Sequence, residues 1–383
     1  MLKIVHFSKT VCAGSAIRLV QALRKFTNHE IHLVDLKRWG IYDHDIIMHE
    51  SPEKAQELAE SADIIHFHNY LHYDSNEFYP IDFRKLKNKG TAFVRQLRGN
   101  PDSLSLLSGL NYKDFMELDM PSIVIAQFPE RFYPSARVVP NIIPQDEKLY
   151  QPNLDNNSNG IFYSHTRKNS AWSHRWETKG APEVKKILKK VKRKTGAEIF
   201  TPHGISLKDV LKMKKNSSIV IDDLVTGSYH LSGLEGLSQG KPVFAYLDDR
   251  MQYVLNVISG SYINPFINCR VEDLYAPLLY LTKNENVINE MGEYNRQWID
   301  NYWKDEILIK HYTETYDLLL DDPANIKRQS ELSIEKKLYI FFAEKLPNLI
   351  YSSRQIKNTN IFQRLIYNTL YSLYKNFRNK RNI

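Results

Sequence analysis

Cysteine is nearly absent from this chain. Only Cys12 and Cys269 occur among 383 residues, far apart and with no metal-ligand spacing. That excludes a disulfide framework and fits a reducing compartment. No stretch of eighteen apolar residues occurs, so no spanning helix is expected. The opening Met-Leu-Lys-Ile-Val-His-Phe is too short an apolar segment for a secretory leader. A cytoplasmic location is therefore the expectation. No Walker loop, Ser-His-Asp arrangement or metal-ligand cluster stands out.

What is present is ordinary globular material with a basic excess. Hydrophobic residues make 42% and charged residues 25%, with a net charge of +8. The length exceeds one compact core and predicts two domains. The charge suits anionic partners such as phosphorylated substrates, anionic lipid or nucleic acid.

Apolar runs at strand and helix spacing alternate along the chain. Strands are expected at Lys3 to Phe7, Ile31 to Val34, Asp63 to Phe67, Ala92 to Leu97, Ser122 to Ala126 and Arg137 to Val139. Helices over Ala16 to Phe26 and Glu53 to Ala59 fall between them. A polar run, Gln151 to Gly160, reads as a linker. The alternation then resumes, with strands at Ile161 to Tyr163, Glu198 to Phe200, Ile219 to Ile221 and Val243 to Tyr246. Helices are expected over Glu183 to Lys194, Leu207 to Met213 and Leu231 to Ser238. Alternating strands and helices imply parallel sheets covered on both faces. Two such halves place a ligand in the cleft between them, at the carboxyl ends of the strands.

Chemistry concentrates in the second half. From Ile219 to Tyr246 the chain reads IVIDDLVTGSYHLSGLEGLSQGKPVFAY. It is a strand, a glycine-containing loop and a helix carrying Glu235. A helix start offers free amides and the positive dipole end, which suit a pyrophosphate. A carboxylate one turn inside can accept ribose hydroxyls, as in dinucleotide folds. Upstream, Tyr163 to Gly180 is a basic loop after a strand. In the first half the Ser8 to Ser15 loop contains Gly14 and opens a helix. His66 and His68 share one face of a strand, with no third metal ligand evident. Arg98 follows the strand ending in Leu97.

The run Ser-Tyr-x-Leu-Ser-Gly-Leu-Glu-Gly-Leu-Ser-x-Gly-Lys-Pro-Val, residues 228 to 243, resembles the donor-site signature of retaining family-4-type glycosyltransferases. The resemblance covers about Lys3 to Leu320, most strongly 175 to 245. It implies the GT-B fold, α/β, with two Rossmann-like doubly wound domains facing a central cleft. The implied bounds are an acceptor domain at 1–150, a nucleotide-sugar domain at 151–300 and a crossover helix at 301–323. A basic amphipathic helical tail at 324–383 lies beyond the resemblance. By the resemblance, Glu235 holds the donor ribose, and Gly14, Ser232, Gly233 and Leu234 border its diphosphate. Lys179 and Arg175 are the catalytic cations, with Arg167 in reserve. His68 and Arg98 contact acceptor or sugar. No metal is expected, because the two cations and the helix end stabilise the leaving diphosphate. The family's second glutamate, eight positions before Glu235, is here Gly227; Asp222 or Asp223 could substitute or else satisfy the local backbone.

The implied activity moves a sugar from a nucleotide diphosphate sugar to a glycan or polyprenyl-linked saccharide, in bacterial surface polysaccharide biosynthesis. Two other readings stay open: a sugar-nucleotide epimerase of the same fold, and a non-catalytic nucleic-acid-binding protein, for which no recognition motif is found. The last 33 residues carry seven Lys or Arg and no acidic residue. The tail is expected either to lie on the inner membrane as a peripheral contact or to pack on protein.

Overall fold

The computed structural model describes residues 1–10, 12–39, 42–153, 158–165, 168, 170–171, 178–335, 337 and 341. Of the amphipathic tail expected at 324–383, residues 324–335 are described and pack on the protein, with Arg328 on Glu130 and Leu332 buried. The rest of it apart from 337 and 341, and Arg175 and Arg167, lie outside the described residues.

The first half runs β1 (Lys3–Ser8), α1 (Ser15–Phe26), β2 (Glu30–Asp35), β3 (Ile46–Ile47), α2 (Pro52–Glu60), β4 (Ile64–His68), α3 (Phe83–Asn88), β5 (Ala92–Leu97), α4 (Pro101–Ser108), α5 (Tyr112–Met116), β6 (Ser122–Ile125) and β7 (Arg137–Val139). The second half runs β8 (Ile161–Tyr163), α6 (Ala181–Thr195), β9 (Ile199–Phe200), α7 (Leu207–Lys215), β10 (Ile219–Ile221), α8 (Leu231–Ser238), β11 (Val243–Ala245), α9 (Asp249–Ser259), β12 (Ile267–Asn268), α10 (Tyr275–Leu281), α11 (Glu285–Tyr302), α12 (Asp305–Leu308) and α13 (Lys310–Asp321). Local chemistry punctuates these elements. Asn100 caps α4 ahead of Pro101, Ser206 caps α7, Asp248 caps α9, and Gly196 and Gly260 end their helices in the left-handed region.

The strands form two parallel sheets, in the orders β3-β2-β1-β4-β5-β6-β7 and β12-β11-β10-β8-β9. Each order reverses once, between β1 and β4 and between β8 and β10. Such switch points open a crevice at the strand carboxyl ends. The central strands are buried on both faces, as parallel strands covered by helices must be.

The segment 301–323, expected as one crossover helix, is broken: α11 ends at Tyr302, and α12 and α13 follow after Lys304. Trp303, fully buried, donates its indole N–H to the Asn141 carbonyl at 3.2 Å. That bond fixes the corner where the chain returns, and α13 then lies on the first sheet through Tyr312 and Tyr316. The halves are also tied by ion pairs. Arg131 binds Asp248 at 2.7 and 3.0 Å, and Glu130 receives Arg250 and Arg328. Among the described residues no helix is long and apolar enough to cross a membrane.

Candidate functional site

At the second switch point, the loop after β10 folds back under the start of α8. Asp222, wholly buried, accepts the His230 backbone N–H at 2.6 Å and the Lys179 ammonium at 2.5 Å. Burial pushes its carboxyl up, but Lys179 and His230 outweigh that and hold it below the usual range. Asp223 accepts the amides of Val225 and Thr226 at 2.7 and 3.0 Å, so this pair satisfies the strand-to-loop backbone. Gly233 is required by the same packing: a Cβ there would stand 2.6 Å from Asp222 Oδ2.

Within α8, Gly233 and Leu234 give their N–H groups to the His230 carbonyl at 3.0 and 3.2 Å. The amides of Leu231 and Ser232 are those the first turn can offer an anion. Leu234, expected to border the diphosphate, has its side chain in the apolar core instead. The Leu-Glu-Gly run needs that residue for packing.

Glu235 is 4% exposed. Its Oε2 takes the Lys214 ammonium at 2.5 Å and its Oε1 the Arg18 guanidinium at 2.7 Å. Burial pushes the carboxyl up, and the two cations overcome this and hold it low. Burial likewise lowers Lys214 below its ordinary value. Neither cation is visible in the sequence as a partner of Glu235. Lys214 sits on α7 with its ammonium also on the Ser232 carbonyl at 3.1 Å, and Arg18 comes from α1 in the other half. Arg18 keeps Nε and Nη1 without acceptors. Gly14, the residue before α1, has φ +76, and a Cβ there would meet Tyr42 at 3.2 Å and Leu207 of the second half at 3.4 Å. The glycine loop therefore lies where the two halves meet.

Lys179 and Gly180 stand together at the start of α6, with the Lys179 carbonyl held by the Tyr163 hydroxyl at 2.9 Å. Lys179 and Glu235 thus converge on one helix start: Lys179 through Asp222 beneath α8, Glu235 from its second turn. Gly227 has φ +85, and a Cβ there would stand 2.8 Å from Asp248 Oδ2. The space that a longer residue would need is taken by the Asp248–Arg131 pair.

At the first switch point, His6 on β1 pairs in register with His66 on β4. His68 completes a stack of three buried imidazoles, with centroids 4.3 to 5.3 Å apart. Sequence spacing shows only His66 and His68. The third comes from a neighbouring parallel strand. The hydrogen bonds set a direction. A guanidinium only donates, so Arg98 Nη1 donates to His68 Nδ1 at 2.5 Å. His68 Nε2–H then donates to His6 Nδ1 at 3.1 Å, and His6 Nε2–H to the Tyr316 hydroxyl at 3.4 Å. Tyr316 donates to His66 Nδ1 at 2.8 Å. Arg98 also reaches Gln96 Oε1 at 2.5 Å, and Gln96 binds the Tyr312 hydroxyl at 2.8 Å. Burial, then the Arg98 charge, lowers His6 to about 3; burial likewise drives His66 and His68 well below their ordinary value.

The possible ligand atoms of the three histidines lie within 4.8 Å of one another. The donor set does not fit a cation, because one nitrogen of each ring already accepts a hydrogen bond and a guanidinium adjoins the stack. His68, expected to touch acceptor or sugar, is 1% exposed with both ring nitrogens engaged. Its burial lets it act only through Arg98, which is partly exposed at the end of β5.

No protein-family model and no curated protein matches the sequence. Solved structures do match. Sucrose-phosphate synthase from Thermosynechococcus elongatus is 10% identical with a TM-score of 0.54, over 84% of this chain and 100% of that one. An alpha-glucosyltransferase in complex with UDP and a 13-mer DNA containing an HMU base is 13% identical at 0.53, over 83% and 99%. HepE from Anabaena, in complex with UDP and glucose, is 10% identical at 0.51, over 83% and 100%. The chain has the GT-B glycosyltransferase-like fold.

Proposed function

We propose that this protein is a glycosyltransferase that uses a nucleotide diphosphate sugar, with its donor site at the start of α8. The observation that carries the reading is the convergence of Lys179, the first turn of α8 and Glu235 on one place, opposite Gly14 and Arg18 of the other half. Lys179 has three donors and Asp222 uses one; the Glu235 carboxylate offers about four acceptor sites and two are used. Both groups can therefore take a ligand without losing their present partners. In this reading Glu235 accepts the ribose hydroxyls. Lys179 and the amides of Leu231 and Ser232 meet the diphosphate. Arg175 is the second cation.

The transferred sugar loses its C1–O bond to the diphosphate and gains one to the acceptor oxygen. The departing diphosphate oxygen takes the acceptor proton, and Lys179 with the helix end stabilises the developing charge. We read the transfer as retaining and independent of metal, since these groups do a cation's work. Arg98, held by His68 and Gln96, faces the acceptor or sugar. The acceptor is read as a glycan or polyprenyl-linked saccharide in bacterial surface polysaccharide assembly. A peripheral contact with the inner membrane through the basic tail would supply it. Bound UDP in two of the structural neighbours supports UDP-sugars as the first donors to try.

A thermal-unfolding panel of UDP-, GDP-, ADP- and CDP-sugars tests the donor, since a ligand bound only by the folded state raises its stability by mass action. One donor class should raise the midpoint, and Lys179→Ala should abolish that shift. If no nucleotide sugar shifts it while a DNA duplex binds salt-sensitively, the transferase reading fails. If donor incubated without acceptor is epimerised, the chemistry is epimerisation instead.

A further inference from the structure

Buried arginines in this protein come with carboxylates. Arg18 has Glu235, Arg131 has Asp248, Arg137 has Glu314, and Arg328 has Glu130. Arg95, in the middle of β5 and 3% exposed, is different. No carboxylate pairs with it among the described residues. Its Nε and Nη1 have no hydrogen-bond partner, and its Nη2 reaches only Ser122 Oγ at 3.5 Å. The guanidinium lies over the Phe115 ring at 4.6 Å, which compensates a small part of the lost hydration. An unpaired buried charge is costly enough that proteins seldom keep one without a use. Burial pulls this guanidinium down to about 10, with Tyr133 and Tyr73 opposing the shift.

Arg95 forms one wall of a cavity of about 490 Å³. The other walls are mostly apolar: Leu97, Met116, Pro134 and Ile326, with Tyr112 and Tyr133. Lys113 and Glu117, both exposed, offset each other at its edge. The neighbouring α4, packed on α5, leaves Leu106 81% and Leu107 50% exposed. The cavity is bordered by Pro121 and Ser122, where β6 begins, whereas the cleft lies at the strands' carboxyl ends. It is a separate place on the first half and stands whether or not the cleft transfers a sugar.

We propose that this cavity binds an amphiphilic anion, with a phosphate headgroup paired to Arg95 and an apolar body against the aliphatic and tyrosine walls. The headgroup supplies the missing counter-charge, and charge-assisted bonds to a guanidinium are the stronger kind. The same chemistry could come from a soluble phosphate ester or a lipid headgroup.

Octyl phosphate below its micelle concentration is the probe, read by thermal unfolding of the full chain and by calorimetric titration. It should raise the unfolding midpoint saturably, while inorganic phosphate or octanol should give much smaller shifts. Arg95→Met should keep or raise the ligand-free midpoint, since it removes an unpaired charge, and should weaken octyl phosphate about ten-fold or more. Met116→Trp, which retains Arg95 and fills the cavity, should also lose the response. Sedimentation with phosphatidic acid vesicles, against phosphatidylcholine vesicles, separates the sources. Arg95-dependent pelleting identifies a lipid headgroup, and its absence beside intact octyl phosphate binding identifies a soluble ester. The proposal is overturned if octyl phosphate leaves the wild-type midpoint unchanged, if inorganic phosphate reproduces the full shift, or if the shift survives in Met116→Trp.

Discussion

The two switch points solve the same positioning problem with opposite electrostatics. At the second, buried charges face each other: Glu235 with Arg18 and Lys214, and Asp222 with Lys179. At the first, neutral rings relay hydrogen bonds from Arg98 through His68 and His6 to Tyr316 and His66, with no carboxylate in the chain of contacts. A charged cluster holds Glu235 and Asp222 ionised although both are buried. A neutral ladder fixes one partly exposed guanidinium in place without adding a negative group that would neutralise it. In the proposed reading, the second half binds by charge and the first orients by geometry.

Removing the shared anion strikes the charged side hardest. Glu235→Ala strands Arg18 and Lys214 as buried cations, so unfolding should be easier by about 3–5 kcal/mol in denaturant titration. A loss below about 1 kcal/mol would mean that the pairs are solvent-screened and the contrast is false. The proposed donor response should vanish as well, so stability and donor binding must be read separately.

Acid separates the two regions by pH. An unfolded histidine takes its proton below about 6.5, but folded His6 resists protonation down to about 3. The unfolded state therefore binds more protons between these values, and stability is lost as pH falls through that window. From pH 6.5 to 4.5, His6 alone should remove about 2–3 kcal/mol. Asp222 and Glu235 are held below their ordinary 3.8 and 4.5, so their contribution is lost only at lower pH. Asp35, raised to about 6 by burial, acts with the opposite sign, gaining stability as pH falls below that value. Comparing wild type with His6→Gln by denaturant titration at several pH values cancels that term. The variant should show the shallower slope.

A smaller effect probes the departure at Gly227. Gly227→Glu introduces the glutamate of the resembled signature but forces a side chain into the left-handed region and against Asp248. It should cost about 2 kcal/mol in unfolding and loosen the Asp248–Arg131 tie rather than improve donor response. An unchanged midpoint would show that the loop can yield there. The mildest test is Tyr316→Phe. It leaves the His66 acceptor and the His6 donor unmet, and should cost about 1–2 kcal/mol while leaving the α8 site's donor response intact. A lost donor response would show that the two regions are coupled.

Much of the architecture was legible because its causes are local. The periodicity of β5, β7, β8, β10 and α8 marks their bounds to the residue. The strand, turn and helix start that carry Glu235 were legible too, since they are contiguous in the chain. The break at Trp303 was not legible, because it depends on a carbonyl at Asn141 that only the packed halves bring near.

By itself, the order of residues determined two parallel α/β halves, the helix start that carries Glu235 and the glycine at Gly14. These depend on neighbours a few positions apart. Only the tertiary structure decided which charges meet: Arg18 lies 217 positions from Glu235, and Tyr316 lies 310 from His6. Partnership of that kind is set by sheet order and by the return of α13 over the first sheet, and burial then decides which ring stays neutral and which carboxylate stays charged.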